Sequence, residues 1–429
     1  MTHSFKNWKD FNNISIRVSI KRKIFDAIFI VDNNRLILKI NMIKDINEWR
    51  NTNKNYDILS GKFLFNNEKV FLINCMHSGH SSTTNCKTGK LESAFAEFII
   101  DRIIIDKNLS QKSLNNITKY SSSYENLDLF IESKPFMSDL KTFDYDSNTK
   151  NYKIKADTYS INIMTFCSLN ETQQSLSINR LSQIDFSHTK GISIKKVLEN
   201  IYTFRNFLML ILKHPIYVKK QTIYIDDHPV ELFDCSYRDT ILETTDIDEM
   251  LSHRCLKIDN IDNIELIYNN FINNYKQLYP LIELYYNVTQ YKVPNLTRFI
   301  NSTTMLENYS RNYDFASAFA LTKSKNSKSK DASYIDMIIS LITNVNDVFN
   351  YTTTEIDTIA ENIKSARIYY IHYKTKQKSK PLTYDEQFHY SYFIEDIVLI
   401  NIYKLIGLDI TKYEYISFNQ FYYDKYDLI

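Results

Sequence analysis

The stretch TTTEIDTIAENIKSARIYYIH, residues 352–372, decides the fold class of the second half of this 429-residue chain. It opens with a capping box, in which the side chains of Thr352 and Glu355 each accept a backbone N–H at the start of a helix. Apolar side chains then recur every three or four residues on one face: Ile356, Ile359, Ile363, Ala366 and Tyr370. This spacing predicts an amphipathic helix that packs against neighbouring helices.

Other segments of the second half share this helical period. We predict helices over residues 263–286, with an interruption at Pro280, over 295–313 and over 333–349. A second capping box at residues 383–386 opens a last long helix, and Gly407 is placed to end it. The second half is therefore predicted to be a helical bundle.

The first half has the two-residue period of β-strands instead, interrupted by one predicted helix over residues 194–212. The predicted strands cover residues 14–20, 35–43, 62–73 with a turn at Asn66-Asn67, 96–105, 152–166, 176–186 and 222–233 with a turn at Asp226. The period changes near residues 254–262. We therefore predict an α+β chain, with a β-rich N-terminal domain over residues 1–255 and an α-helical domain over residues 256–429.

Composition excludes several classes of protein. The formal net charge is +2, from 52 Lys and Arg against 50 Asp and Glu, which excludes a uniformly basic nucleic-acid binder. No two of the five glycines are spaced as in a P-loop, a dinucleotide-binding loop, a kinase glycine loop or a nucleophile elbow. The longest apolar block, residues 207–212, is far shorter than the roughly 20 residues that span a membrane. The polar N-terminus and the odd number of five cysteines predict a cytoplasmic protein with reduced thiols.

The helix over residues 352–372 ends with an arginine and a histidine five residues apart, Arg367 and His372. RNA cleavage without a metal needs a base of near-neutral pKa for the 2′-hydroxyl proton and a cation for the charge on the phosphate. Imidazole and guanidinium are suited to those two tasks. Nearby side chains that could stack on bases or hold phosphates are Tyr369, Tyr370, Tyr373, Lys374 and Lys376.

The spacing of Arg367 and His372 leaves more than one interpretation. Five residues on a straight helix separate two side chains by about 140°, which puts Arg367 at the edge of the apolar face and His372 away from it. Either the helix ends or bends between them, or the long arginine reaches round, or His372 completes a site at a subunit interface. The other interpretation is a surface histidine whose charge suits the C-terminal end of the helix dipole.

Residues 365–373, the lysine-rich loop after them, the capped last helix and its Leu405-Ile406-Gly407 end together resemble the helical nuclease domain of the HEPN superfamily. More narrowly they resemble its ApeA-like branch, because residues 305–311, Met-Leu-Glu-Asn-Tyr-Ser-Arg, look like the Leu-Glu-x-x-x-Arg stretch of that branch. The first half is similar to the ApeA N-terminal domain in its run of strands and its one helix. The resemblance therefore covers most of the chain.

The resemblance implies a HEPN-type helical bundle and a metal-independent endoribonuclease with no cofactor. Arg367 would stabilise the phosphate and His372 would transfer protons, with two protomers meeting as a homodimer at the site. The products would carry 2′,3′-cyclic phosphate and 5′-hydroxyl ends, and Glu307 and Arg311 would support the site. ApeA-like proteins are anti-phage factors that stop phage growth by damaging RNA, so RNA, plausibly tRNA, is the expected partner. A phage-derived trigger and a sensor role of the first half follow from the same resemblance.

Three features leave alternatives open. The ApeA-like branch usually has a polar residue after the arginine, and here that residue is Ile368, so the alternative function is a catalytically weak or inactive HEPN protein that binds nucleic acid or a partner protein. Glu307 and Arg311 also fit a simple i,i+4 pair that supports a helix. Four possible zinc ligands lie within twelve residues: Cys75, His77, His80 and Cys86. The alternative to a zinc site is the end of a hairpin in which Cys75 is buried and the histidines lie in a polar loop.

Overall fold

The computed structural model describes residue 5 and residues 7–33, 35–51, 54–124, 126–131, 150–171, 176–213, 216–235, 256–290, 293–313, 333–372 and 381–412. The chain divides into two compact units. The first comprises Met1–Glu125, Phe136–Tyr202 and Tyr217–Ile241, and the second comprises Asn126–Pro135, Thr203–Ile216 and Leu242–Ile429. The predicted domain boundary after residue 255 falls at the end of residues 236–255, which lie outside the described residues, and it stays a prediction.

The first unit is built on one sheet, which has thirteen strands in the residues described. In chain order they are β1 Ser15–Ile20, β2 Lys23–Asp32, β3 Arg35–Asn41, β4 Tyr56–Phe63, β5 Lys69–Thr84, β6 Leu91–Ile99, β7 Arg102–Ile105, β8 Ile117–Tyr124, β9 Asn151–Lys155, β10 Tyr159–Glu171, β11 Leu176–Ile192, β12 Val218–Ile225 and β13 His228–Asp234. The predicted β-rich first half is therefore confirmed, and its two-residue period reflects strands with one buried face.

Six of these strands close into a barrel, because β4 pairs with both β1 and β5. The ring is completed by antiparallel pairing of β1 with β2, β2 with β3, β3 with β6 and β6 with β5. Alternate side chains point inward, so that Ile16, Val18, Leu38 and Phe98 are buried in the barrel core. The remaining strands continue the sheet away from the barrel in the order β7, β13, β12, β8, β11, β10 and β9.

The predicted strand over residues 96–105 is in fact two strands, β6 and β7, separated by Ile100 and Asp101. Both pair with β5, but on the other side β6 pairs with β3 whereas β7 pairs with β13. The guanidinium of Arg102 is buried at this point and lies 2.9 Å from Asp101 and 2.8 Å from the Asp234 carboxylate. A buried cation must be paired, and β13, the strand that now lies beside β7, supplies the Asp234 carboxylate for this pair.

The predicted strand over residues 152–166 is also wrong, because this segment holds the hairpin of β9 and β10.

Two predicted turns are confirmed. Asp226 and Asp227, between β12 and β13, have φ of 48° and 63°, which is the geometry of a two-residue type I′ turn. Asn67, between β4 and β5, has φ of 59°. When the connection between two strands is this short, the two-residue apolar period continues through it, and only turn-forming residues such as Asp and Asn indicate where one strand ends.

The second half is helical, as predicted. Within the described residues the helices are α1 Ile46–Asn51, α2 Leu127–Phe130, α3 Ile194–Leu212, α4 Ile264–Gln290, α5 Asn295–Asn312, α6 Tyr334–Asn344, α7 Asn346–Phe349, α8 Thr353–His372 and α9 Tyr384–Ile406. The predicted interruption at Pro280 is wrong, since α4 runs through it. Pro280 is exposed, so the carbonyl of Lys276 that loses its N–H partner can bind water. In the part of the chain that the structure describes, no helix has the length and apolarity needed to cross a membrane.

The last helix is fixed at both ends by the predicted signals. The hydroxyl of Thr383 accepts the N–H of Glu386 at 3.2 Å, and the Glu386 carboxylate accepts the N–H of Thr383 at 2.6 Å. At the other end Gly407 has φ of 85°, and its N–H and that of Leu408 bond carbonyls of the last turn. The buried carboxylate of Glu395 on this helix holds Arg298 at 2.6 Å and so fixes α5 against α9.

One polar cluster in the first unit makes stability depend on pH. The imidazole of His188 lies 3.1 Å from the hydroxyl of Tyr120, which accepts the side-chain N–H of Asn200 at 2.8 Å, and its ring stacks on Tyr159. Burial lowers the pKa of His188 below its ordinary value of 6.5, and the charge of Lys196 lowers it further. The folded protein therefore binds this proton less readily than the unfolded chain does.

We expect the free energy of unfolding to fall as the pH drops below 6.5, because the unfolded chain then gains protons that the folded chain does not bind. Well above pH 6.5 both states are neutral at this residue, and it contributes no pH dependence. Burial lowers the pKa of His77 and His389 too, so these residues also make stability depend on pH. His188→Gln is therefore expected to remove only part of the dependence of the unfolding free energy on pH. The measurement is the urea midpoint at pH 7.5 and pH 5.5 for both proteins. An equal or steeper loss in His188→Gln contradicts the assignment.

Candidate functional site

Arg367 lies near the end of α8, at the edge of its buried face. The capping box that starts this helix is present, since Thr352 and Glu355 accept each other's backbone N–H. Ile363 and Ala366 are fully buried in the bundle, and the Arg367 side chain, 22% exposed, follows them at the surface. The predicted position of Arg367 at the edge of the apolar face is thus the position in the structure.

Glu307 on α5 connects Arg367 to a second arginine. One carboxylate oxygen of Glu307 accepts a hydrogen bond from Nη2 of Arg367, and the other lies 2.9 Å from Nε of Arg311. Glu307 is 21% exposed and Arg311 is 60% exposed. The three side chains carry one more positive than negative charge, so the group can accept an anion. The predicted i,i+4 pair of Glu307 and Arg311 is present, and it also reaches Arg367.

Tyr334, the first residue of α6, lies under the guanidinium of Arg367 with its ring centroid 4.2 Å from Cζ. This is a cation–π contact. The Tyr334 hydroxyl donates to the carbonyl of Thr303 on α5 at 3.3 Å. Burial raises the pKa of Tyr334, although the Arg367 charge lowers it, so the hydroxyl stays protonated and can donate. Sequence reasoning missed Tyr334, although the Ser333-x-x-Asp336 capping box marks its position at the helix start.

His372 is the last residue of α8, so the helix does not end between it and Arg367. The two residues are therefore five apart on one continuous helix. Tyr373, Lys374 and Lys376, which the sequence assigns to RNA contacts, lie outside the described residues.

The two described tyrosines of the predicted RNA surface, Tyr369 and Tyr370, follow Arg367 on α8. Tyr370 is half-buried, and its hydroxyl donates to the carbonyl of Leu382 at 3.0 Å and accepts the N–H of Leu382 at 2.9 Å. The Gln387 amide donates to the same hydroxyl at 3.0 Å. These bonds tie the end of α8 to the start of α9. Tyr369 is also half-buried, with its ring 5.3 Å from that of Tyr370.

The four candidate zinc ligands do not come together. Cys75 is buried in the barrel, where its thiol points to the carbonyl of Leu72 at 3.5 Å and burial raises its pKa. The rings of His77 and His80 lie 4.6 Å apart on β5, and Cys86 is exposed at the far end of the β5–β6 hairpin. Within the described ranges, no group of three or more His, Cys, Asp and Glu side chains could hold a metal ion.

Two family models match the chain. Residues 21–271, more than half of its length, match the model of ApeA N-terminal domain 1. Residues 300–412 match the model of the Apea-like HEPN domain, and this match contains Glu307, Arg311, Arg367 and His372. No curated protein and no solved structure matches the chain. The β-rich unit and the helical bundle thus follow the same order as the two matched models.

Proposed function

The chain belongs to the ApeA-like HEPN family of anti-phage nucleases, and from this premise we propose that it is a metal-independent endoribonuclease that causes abortive infection. One observation carries the proposal: Arg367 is held by Glu307 and Tyr334 at the end of the helix whose last residue is His372. A fixed cation and a titratable base on one helix are the groups that metal-free RNA cleavage needs.

In the proposed reaction, His372 takes the proton of a ribose 2′-hydroxyl. The 2′-oxygen attacks the adjacent phosphorus, and the bond from phosphorus to the 5′-oxygen breaks. Arg367 stabilises the negative charge that grows on the phosphate oxygens. The leaving oxygen takes a proton, so the products are a 2′,3′-cyclic phosphate and a 5′-hydroxyl. We assign this last proton to the histidine of a second protomer, because each chain supplies one such pair.

The proposal includes partners and a place in the cell. We propose a homodimer through the helical unit, in which Ile371 and Tyr384 expose 41% and 72% of their surface near the end of α8 and the start of α9. These two exposed apolar side chains are available to such an interface. RNA is the proposed substrate, with tRNA the first to test, and we place the protein in the cytoplasm. The β-rich unit is proposed to sense a phage-derived trigger, and Tyr373, Lys374 and Lys376 to hold RNA with Tyr369 and Tyr370.

The second candidate function rests on Ile368. This residue, directly after Arg367, is half-buried and apolar, so it contributes no hydrogen bond to a substrate. A site that lacks this bond fits a catalytically weak or inactive protein that binds nucleic acid or a protein partner. The two functions differ in whether RNA is cut.

The RNA ends in phage-infected cells test the proposal. We expect the wild type to generate 5′-hydroxyl ends that His372→Ala generates roughly 100-fold less often, because general-base catalysis contributes about that factor. The matched control is His228→Ala, an exposed histidine at the start of β13. Cleavage by the purified protein is expected to survive EDTA. Equal numbers of ends in the wild type and His372→Ala favour the binding function, and loss of cleavage in EDTA contradicts the metal-independent mechanism.

A further inference from the structure

Tyr334 is fixed in place at its backbone. It follows Ser333, whose hydroxyl and backbone N–H both contact Asp336 in a capping box at the start of α6. The Asp336 carboxylate is buried, and it accepts the Ser333 N–H at 2.9 Å. The first turn of α6 therefore begins at a defined residue, and the position of the Tyr334 backbone is set by that start.

The far end of the Tyr334 side chain is fixed as well. Its hydroxyl donates to the carbonyl of Thr303, a fully buried residue of α5 whose own hydroxyl bonds the carbonyl of Ile300 at 2.9 Å. Since the ring is held by its backbone on α6 and by its hydroxyl on α5, it is a rigid surface. Arg367 lies against the face of this surface.

The ring supplies an orientation that the ion pair alone does not. Arg367 is bonded to Glu307 through Nη2, whereas its buried Nε has no hydrogen-bond partner among the residues that the structure describes. A guanidinium held at one nitrogen can still rotate about that contact. The face-on contact with Tyr334 at 4.2 Å restricts this rotation and fixes the plane of the guanidinium.

We propose that Tyr334 is a positioning residue of the nuclease site, which fixes the plane of the Arg367 guanidinium so that its free edge meets the phosphate. This inference rests on the proposed function. A guanidinium in the wrong plane still attracts RNA by its charge, but it loses the aligned hydrogen bonds of the transition state. Loss of the ring is therefore expected to lower kcat and to leave KM nearly unchanged.

The experiment compares Tyr334→Phe with Tyr334→Leu in the full-length protein, by RNA cleavage kinetics and thermal unfolding. The phenylalanine loses the bond to Thr303 but keeps the aromatic face and the backbone position at the start of α6, so we expect its kcat to fall by no more than about twofold. The leucine fills the space without an aromatic face, and we expect its kcat to fall roughly tenfold.

The matched control is Tyr313→Leu. Tyr313 is also half-buried, and its hydroxyl donates to the carbonyl of Asn274 on another helix at 3.5 Å. Its ring lies 4.9 Å from that of Tyr309 at an angle of 37°. Equal kcat values for Tyr334→Leu and Tyr313→Leu overturn the role of Tyr334, and so does an equal loss in Tyr334→Phe and Tyr334→Leu. A wild type that cuts no RNA overturns the nuclease function and this role with it. Wild-type cleavage by Arg367→Ala overturns the roles of Arg367 and Tyr334 but not the nuclease function.

Discussion

Arg367→Ala is expected to lower the rate of RNA cleavage roughly 10²–10³-fold, because one aligned donor to a developing oxyanion contributes about that factor. The stability cost is expected to be small. Without Arg367, the Glu307 carboxylate keeps its ion pair with Arg311 at 2.9 Å, so no unpaired charge is left in the bundle. Partly exposed ion pairs contribute only about 0–1 kcal/mol. Activity and stability therefore separate clearly in this variant.

Arg367→Lys tests the geometry rather than the charge. Lysine keeps the positive charge, but it has neither the flat face that contacts Tyr334 nor a second nitrogen for a substrate oxygen beside Glu307. We expect its cleavage rate to lie nearer to that of Arg367→Ala than to the wild type. The matched control on the same helix is Lys364→Ala, which removes a cation paired with Glu361. Full cleavage by Arg367→Ala, or a loss no greater than that of Lys364→Ala, contradicts the proposed role.

The sequence predicts which residues belong to the candidate site better than it predicts which of them contact each other. Arg367 and the pair of Glu307 and Arg311 stand in recognisable local patterns, one at the end of an amphipathic helix and the other at i,i+4 spacing. The ion pair between Glu307 and Arg367 joins residues 60 positions apart, and no local pattern encodes it. Tyr334 was missed for the same reason, since its role depends on two helices that only the fold brings to it.

In the fold, too, features set by neighbouring residues are predicted from the sequence, whereas features set by residues far apart in the chain are not. Helix α5 follows from its period, and helices α8 and α9 follow from period and capping boxes, which are properties of neighbouring residues. The break between β6 and β7 does not, because seven of the ten residues 96–105 are apolar and strand-forming on both sides of the break. What breaks the strand is the buried Arg102, whose partner Asp234 comes 132 positions later. A pair of buried charges so far apart in the chain cannot be predicted from a short stretch of sequence.

The largest loss of stability is expected at another distant pair, Arg298 and Glu395. The guanidinium of Arg298 on α5 donates to both oxygens of the buried Glu395 carboxylate, at 2.8 and 2.6 Å, and lies over the ring of Tyr392. Ser302 donates to the same carboxylate at 2.9 Å. Glu395→Ala leaves the Arg298 charge unpaired in the bundle, and we expect the free energy of unfolding to fall by roughly 3–5 kcal/mol.

Urea denaturation measures this loss, and Asp347→Ala is the matched control. Asp347 pairs with Lys404 on the same helix α9 at 2.7 Å, but both side chains are substantially exposed, so about 1 kcal/mol or less is expected. Equal losses in the two variants contradict the claim that burial makes the Glu395 pair costly to break. The double variant Arg298→Met/Glu395→Leu removes both charges and replaces them by apolar groups. Because the cost comes from one uncompensated charge rather than from the missing bond, this double variant is expected to be more stable than Glu395→Ala alone.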